Sequence, residues 1–270
     1  MSEPISEGRA LYLSGLRREK RTVLFLRAAL LLMIFLMWEL AADVGAIDSF
    51  IFSCPSRMWE TFLGLLSSGD LFIHVGTSVA ETTAGFLLGT ACGITAAIIL
   101  WWSPRISRVL DPYLVVLNSL PKTALGPVFI VWMGAGAASI ITMSLAISLI
   151  VTILDMYSGF MRTDPEKIRL MRTLGASRGQ ILLKLVLPSN FSSMINALKV
   201  NVGLSWVGVI MGEFLVSKAG LGYLIVYGSQ VFKMDLVMTT VLILAVCAAV
   251  MYRCILWLEK ALKKYMGVTI

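Results

Sequence analysis

Few residues in this chain are of a type and spacing that do chemistry. His74 is the only histidine, and no second ligand stands from it at zinc-site spacing. The four cysteines, Cys54, Cys92, Cys247 and Cys254, form no C-x-x-C pair, and most lie in apolar stretches where a thiol acts as a small hydrophobe. No nucleophile stands beside a base, and no two carboxylates share an evident cavity. A G-x-x-x-x-G-K-[ST] phosphate loop is absent, and no Gly-Lys pair occurs, so hydrolysis of ATP by the P-loop route is excluded. The chain is expected to be no enzyme, with no catalytic residue, no metal and no cofactor of its own.

The richest local pattern is structural. Residues 163–188 read TDPEKIRLMRTLGASRGQILLKLVLP. Asp164, Pro165 and Glu166 make a helix start: a side-chain cap, a proline where its missing N–H costs nothing, and an acid at the positive end of the dipole. Ile168, Met171 and Leu174 fall on one stripe, and Arg169 and Arg172 on another. Gly175 permits the left-handed residue that ends such a helix. Ala176 follows, then Ser177 opens a second helix, with Gln180 completing a capping box and Arg178 in its first turn. That helix runs through Ile181, Leu182, Leu185 and Val186, and Pro188 is expected to stop it. The pattern predicts helix, glycine elbow, helix.

Composition decides what carries this elbow. Of 270 residues, 58% are hydrophobic and 14% charged, with a mean hydropathy of +0.85. Soluble domains are nearer a quarter charged, so the partner of this surface is the lipid bilayer. Six spans of about 20 apolar residues or more are legible, near 23–42, 75–100, 109–133, 136–161, 191–212 and 236–257. They define a transmembrane domain over 23–258, between a leader at 1–22 and a tail at 259–270, with the loop 162–189 between spans four and five. The third span is the weakest, because it holds Asp111, Lys122 and the prolines Pro112, Pro121 and Pro127. The net charge of +7 is a matter of sidedness rather than of nucleic acid. Seventeen Lys and Arg flank one face, in the leader, at Arg105 and Arg108, in 162–189 and from Arg253 onward. Only Arg57, Lys218 and Lys233 flank the other, which places both termini in the cytoplasm.

Polar groups within spans face a bundle interior or a water-filled path. Asn118 and Lys122 lie in span three; Asn201, Ser205 and Trp206 lie in span five, with Asn201 and Ser205 on one face. They line a path or make structural hydrogen bonds. Lys122 either attracts an anion or caps a kinked helix, and Lys199 reads as a structural or gating group. Glu81 is placed near the outer headgroups, and Glu213 at the outer end of span five is a gate candidate. Gly85, Gly89 and Gly93, four apart, make one face for close approach. That face serves either a sliding or dimer contact, or tight packing within the subunit.

The glycine of GAS at 175–177 followed by Leu187-Pro188 resembles the EAA loop of type I ABC importer permeases. RTLGAS, the later GEFL at 212–215 and GLGYLI at 220–225 are similar to the nitrate/sulfonate/bicarbonate/taurine branch. The likeness runs from about Val75 to Tyr265; it departs where the glutamate-alanine-alanine that names the loop is Arg169-Leu170-Met171. The resemblance implies an all-α polytopic fold in the bacterial cytoplasmic membrane and a homodimeric pore with spans three and five near its axis. It also implies an extracytoplasmic binding protein, and two ATP-binding subunits that carry ATP and Mg and dock on the loop around Gly175. A self-contained channel or secondary transporter, which would need no ATPase partner, is the alternative. A membrane enzyme would require clustered acids, histidines or cysteines.

Overall fold

The computed structural model describes residues 7–265, and among them every regular element is helical. In chain order these are α1 Glu7–Asp43, α2 Ser49–Phe52, α3 Pro55–Ser68, α4 Asp70–Trp102, α5 Pro104–Ser119, a 3₁₀ turn Lys122–Leu125, and α6 Gly126–Met133. There follow α7 Ala137–Met161, α8 Pro165–Thr173, α9 Arg178–Ile181, a π turn Leu182–Val186, α10 Leu187–Ser189, α11 Phe191–Val216, α12 Leu221–Gln230 and α13 Met234–Tyr265. Among the described residues, five helices are long and apolar enough to cross a membrane, or six when α5 and the 3₁₀–α6 segment count as one broken span. Residues 7–22 of the expected leader continue the first span as one helix, α1.

The third span is not the single helix that its hydropathy suggests. It is bent by 88° between α5 and the following segment. The cause is local. Leu120, forced away from the helical region by the proline after it, is extended at ψ 133°, and Pro121 offers no N–H to continue the ladder. Pro112 sits inside α5 without ending it.

The core is built on α7, which lies between α4 and α11. A Cβ on Gly85, Gly89 or Gly93 would collide with Ser144, Ser148 or Thr152 of α7, respectively. Both series advance by four, so α4 and α7 run parallel with small residues meeting small residues. The stripe at 85, 89 and 93 therefore packs within the subunit rather than on a free face. On the other side of α7, a Cβ on Gly208 would strike the backbone of Ser144, and one on Gly212 would lie 3.0 Å from the Ile140 Cα. These two contacts run in opposite senses, so α11 is antiparallel to α7. By contrast α1 packs mainly on α3, and most of the apolar side chains in its membrane-crossing part remain exposed, as suits a helix facing lipid.

Close approach of α7 and α11 makes Gly208 intolerant. Gly208→Val is expected to force the helices apart, costing roughly 1–3 kcal/mol or more. Gly203, one turn and a half away on α11 with open space at its Cβ position, provides the control. Thermal unfolding of the purified protein in detergent should show a clear drop for Gly208→Val and no drop for Gly203→Ala. Equal melting temperatures would contradict this packing.

Candidate functional site

The elbow is built by local chemistry. The Glu166 N–H donates to Asp164 Oδ1 at 2.9 Å and opens α8. At its end Gly175 adopts φ +78°, the Ala176 N–H reaches the Met171 carbonyl and the Gly175 N–H reaches that of Arg172, both at 3.0 Å. This pair of bonds is the Schellman closure that a glycine allows. Ser177 and Gln180 then exchange two bonds: Ser177 N–H to Gln180 Oε1 at 2.8 Å and Gln180 N–H to Ser177 Oγ at 3.3 Å.

The second helix differs from expectation in its middle. Leu182–Val186 form a π turn, with the Leu187 N–H on the Leu182 carbonyl. Pro188 sits inside α10 rather than stopping the helix, which ends at Asn190. The Asn190 amide donates to Thr163 Oγ1 at 2.7 Å, tying the two ends of the loop together.

Anchoring and exposure divide the loop. Ile181, Leu182 and Val186 are buried with Ala97 of α4, Met156 and Phe160 of α7 and Ala197 of α11, while Ile168, Met171 and Ala176 pack at the rim. Arg178 Nη1 donates to the Trp102 carbonyl at 2.7 Å, closing the end of α4. The other side is bare. Leu170 is 60% and Leu174 74% exposed, flanked by Arg169 and Arg172. Leu174 thus leaves the stripe it was expected to share with Ile168 and Met171, because it is the cap residue at the turn. A rigid knob of two leucines and two guanidinium groups projects from the bundle.

Of the two readings open for the intramembrane polar residues, a path or structural hydrogen bonding, the second describes them within the subunit. Asn201, Ser205, Trp206 and Glu213 are buried inside one subunit and line no open face. Asn201 Nδ2 donates to Thr152 Oγ1 at 2.5 Å and to Thr90 Oγ1 at 3.2 Å, and Ser144 Oγ donates to the Ser205 carbonyl at 3.1 Å. They hold α4, α7 and α11 together. Lys122 Nζ donates to the Asn118 carbonyl at 2.8 Å and so caps α5 ahead of the kink. Lys199 pairs with Glu259 at 2.8 Å, which also holds Lys263, so it ties α11 to α13.

Glu213 is not a gate facing a path but the centre of a buried joint. Its Oε1 accepts from Ser78 Oγ and its Oε2 from the Gly222 N–H, both at 2.5 Å. Side chains at Gly220, whose φ is +120°, or Gly222 would collide with this carboxylate. GEFL and GLGYLI are therefore two halves of one feature, a carboxylate received at the N-terminus of α12. Glu81 is corrected as well: it is buried against Glu213 rather than among outer headgroups. Sequence reasoning missed Ser78 and the role of Gly222; the signal that carried them was the polar residue one turn before Glu81.

A helical bundle of five apolar helices and one broken span, with an anchored elbow between α7 and α11, defines a polytopic membrane transport subunit. The family model described as the binding-protein-dependent transport system inner membrane component matches residues 89–267, and the chain belongs to this family. It is a permease subunit of the ABC importer class, whose members work with ATP-binding subunits and substrate-binding proteins. A probable ABC transporter permease protein of Haemophilus influenzae is 30% identical over 226 residues, covering 83% of this chain and 91% of the relative. The putative aliphatic sulfonates transport permease protein SsuC of Bacillus subtilis is 27% identical over 232 residues, 86% and 84% of the two chains. The formylaminopyrimidine transport permease protein ThiX of Halalkalibacterium halodurans is 27% identical over 192 residues, 71% and 76%. Inward-facing structures of the MetNI methionine ABC transporter share the fold, one with a TM-score of 0.55 at 18% identity, covering 67% of this chain and 94% of that one.

Proposed function

We propose that this chain forms a two-fold homodimeric pore in the bacterial cytoplasmic membrane. Two ATP-binding subunits, which carry ATP and Mg, dock on its elbows, and an extracytoplasmic protein delivers a small solute, a sulfonate-, nitrate- or taurine-like anion or a vitamin- or pyrimidine-like precursor. Both termini and the 162–189 loop are cytoplasmic; Arg57 and Lys218 are outside. The observation that carries the reading is the knob of Leu170, Leu174, Arg169 and Arg172, held rigid by the Gly175 turn and fastened to α4 through Arg178. Exposed leucines on a firmly anchored elbow suit a partner groove, since apolar contact supplies affinity while the flanking cations fix register. Movement of the docked knob passes directly to α4, α7 and α11, which opens and closes the path by alternating access.

Leu174→Asp tests this. The variant should insert and melt as the native protein does, because the side chain is 74% exposed, yet lose at least ten-fold in affinity for its cognate ATP-binding subunit. Retention of that subunit through purification at native stoichiometry would remove the docking assignment. Orientation is read separately by single cysteines in a cysteine-free background. Position 178 should react with an impermeant thiol reagent only in inside-out vesicles, and position 218 only in intact cells.

A further inference from the structure

Asp155 is a carboxylate in a membrane-crossing helix with no partner. It lies six residues before α7 ends at Met161, about 9 Å along the axis. Its side chain is exposed and makes no ion pair among the described residues. Lysine and arginine escape such a position by snorkelling, but aspartate has a single methylene. Helical side chains also lean toward the helix N-terminus, here away from the nearer membrane surface. An aspartate at this depth faces water or protein, not hydrocarbon.

Its surroundings agree. Asp155 opens onto a cleft of about 280 Å³ between α7 and α11, walled by Ser158, Arg162, Ser193, Asn196 and Val200. Asp155, Ser158 and Arg162 stand at i, i+3 and i+7, so acid, hydroxyl and guanidinium share one face, with the end residues about 10 Å apart along the axis. Ser193 and Asn196 add a hydroxyl and an amide from α11, and all five polar side chains are exposed.

We propose that this cleft is the inner vestibule of the translocation path. It holds a small polar solute that presents an amino or other N–H donor group to Asp155. The proposal rests on the importer reading for its cargo. Lys122, the cation that would have favoured an anion, is engaged with the end of α5, whereas Asp155 is free to meet a solute.

The test reads accessibility without turnover, so a failure at the ATPase-docking elbow and a failure here are distinguishable. Val200 lies nine residues into α11, about 13 Å from its start, and is deeper than Asp155. In a cysteine-free transporter in inside-out, nucleotide-free vesicles, Val200→Cys should react with both a cationic trimethylammonium and an anionic sulfonate methanethiosulfonate. Leu31→Cys on the lipid-facing α1 should react with neither. Adding Asp155→Asn should lower the ratio of cationic to anionic reaction rates at least three-fold, and Asp155→Glu should restore it. A Val200→Cys variant as inert as Leu31→Cys, or one that only crosslinks to its counterpart in a second copy, overturns the vestibule. An unchanged ratio in Asp155→Asn overturns the charge preference.

Discussion

Gly175→Val is expected to reach the membrane at the native level and yet lose uptake at least ten-fold. The position holds φ +78°, and a Cβ there would meet nothing within 4 Å, so the whole effect is on the backbone. A left-handed conformation costs an ordinary side chain roughly 1–2 kcal/mol, and a β-branched one more. The valine variant escapes by rotating out of that region, which breaks the bonds from the Ala176 and Gly175 N–H groups to Met171 and Arg172. α8 then loses its fixed angle to α9, and the leucine knob loses its place relative to the anchored half. The spans are untouched, because the strained residue lies outside them. A graded series separates this from a general defect: Asn, which tolerates the left-handed region, should retain most uptake, Ala should be intermediate, and Val should be worst. Uptake with the cognate ATP-binding subunit in proteoliposomes, beside membrane abundance by immunoblot, checks the order. Full uptake by the valine variant, or equal losses across the series, would falsify the elbow as a coupling element.

Why the elbow was legible and the interior was not follows from sequence distance. The bonds that fasten the elbow, from Asn190 to Thr163 and from Arg178 to Trp102, are long-range. Those that cap and turn its two helices join residues within five positions of each other, so Asp164, Gly175, Ser177 and Gln180 declare it by type and spacing alone. The spans are likewise local, since apolar length is read along the chain. Their partners are not. Gly89 meets Ser148, and Ser78 meets Glu213, 135 positions away. A glycine spacing announces a close contact but not which helix makes it, which is why the stripe at 85, 89 and 93 left two readings open. The same gap explains Asn201 and Ser205. Polar residues in a span must turn from lipid, but whether they turn to a path or to Thr152 depends on a helix fifty positions away. Asp155 carried a readable signal as the lone acid in a 26-residue apolar stretch. The broken third span was half legible: its prolines announced a break, but only the extended Leu120 shows that Pro121 makes it rather than Pro112.

Glu213→Ala is expected to be the most damaging single change in the membrane interior. The carboxylate is 1% exposed and accepts from both Ser78 and the Gly222 N–H. Removing it strands two buried donors, and a buried donor left unsatisfied costs about 1–3 kcal/mol. The N-terminal turn of α12 should then loosen from α4 and α11, held only by the bonds from the Gly220 N–H to His74 Nδ1 and from the Leu221 N–H to Ser78 Oγ. Glu213→Gln keeps one acceptor oxygen and should cost less. The glycines that make room supply a sharper test. Gly220→Ala would place a methyl against the Glu213 carboxylate, beyond the strain of φ +120°, so alone it should destabilise the native protein. In the Glu213→Ala background the carboxylate is gone and only the backbone strain at position 220 remains, so the same change should cost less. The coupling between the two sites, measured as the departure from additivity in unfolding free energy, should reach about 1 kcal/mol or more, as for residues in contact. Limited proteolysis gives the local readout, with cleavage in 217–235 appearing in Glu213→Ala well before the bundle unfolds. Additive effects, or a Glu213→Ala protein that melts as the native one does and resists cleavage there, would mean that GEFL and GLGYLI do not act as one joint.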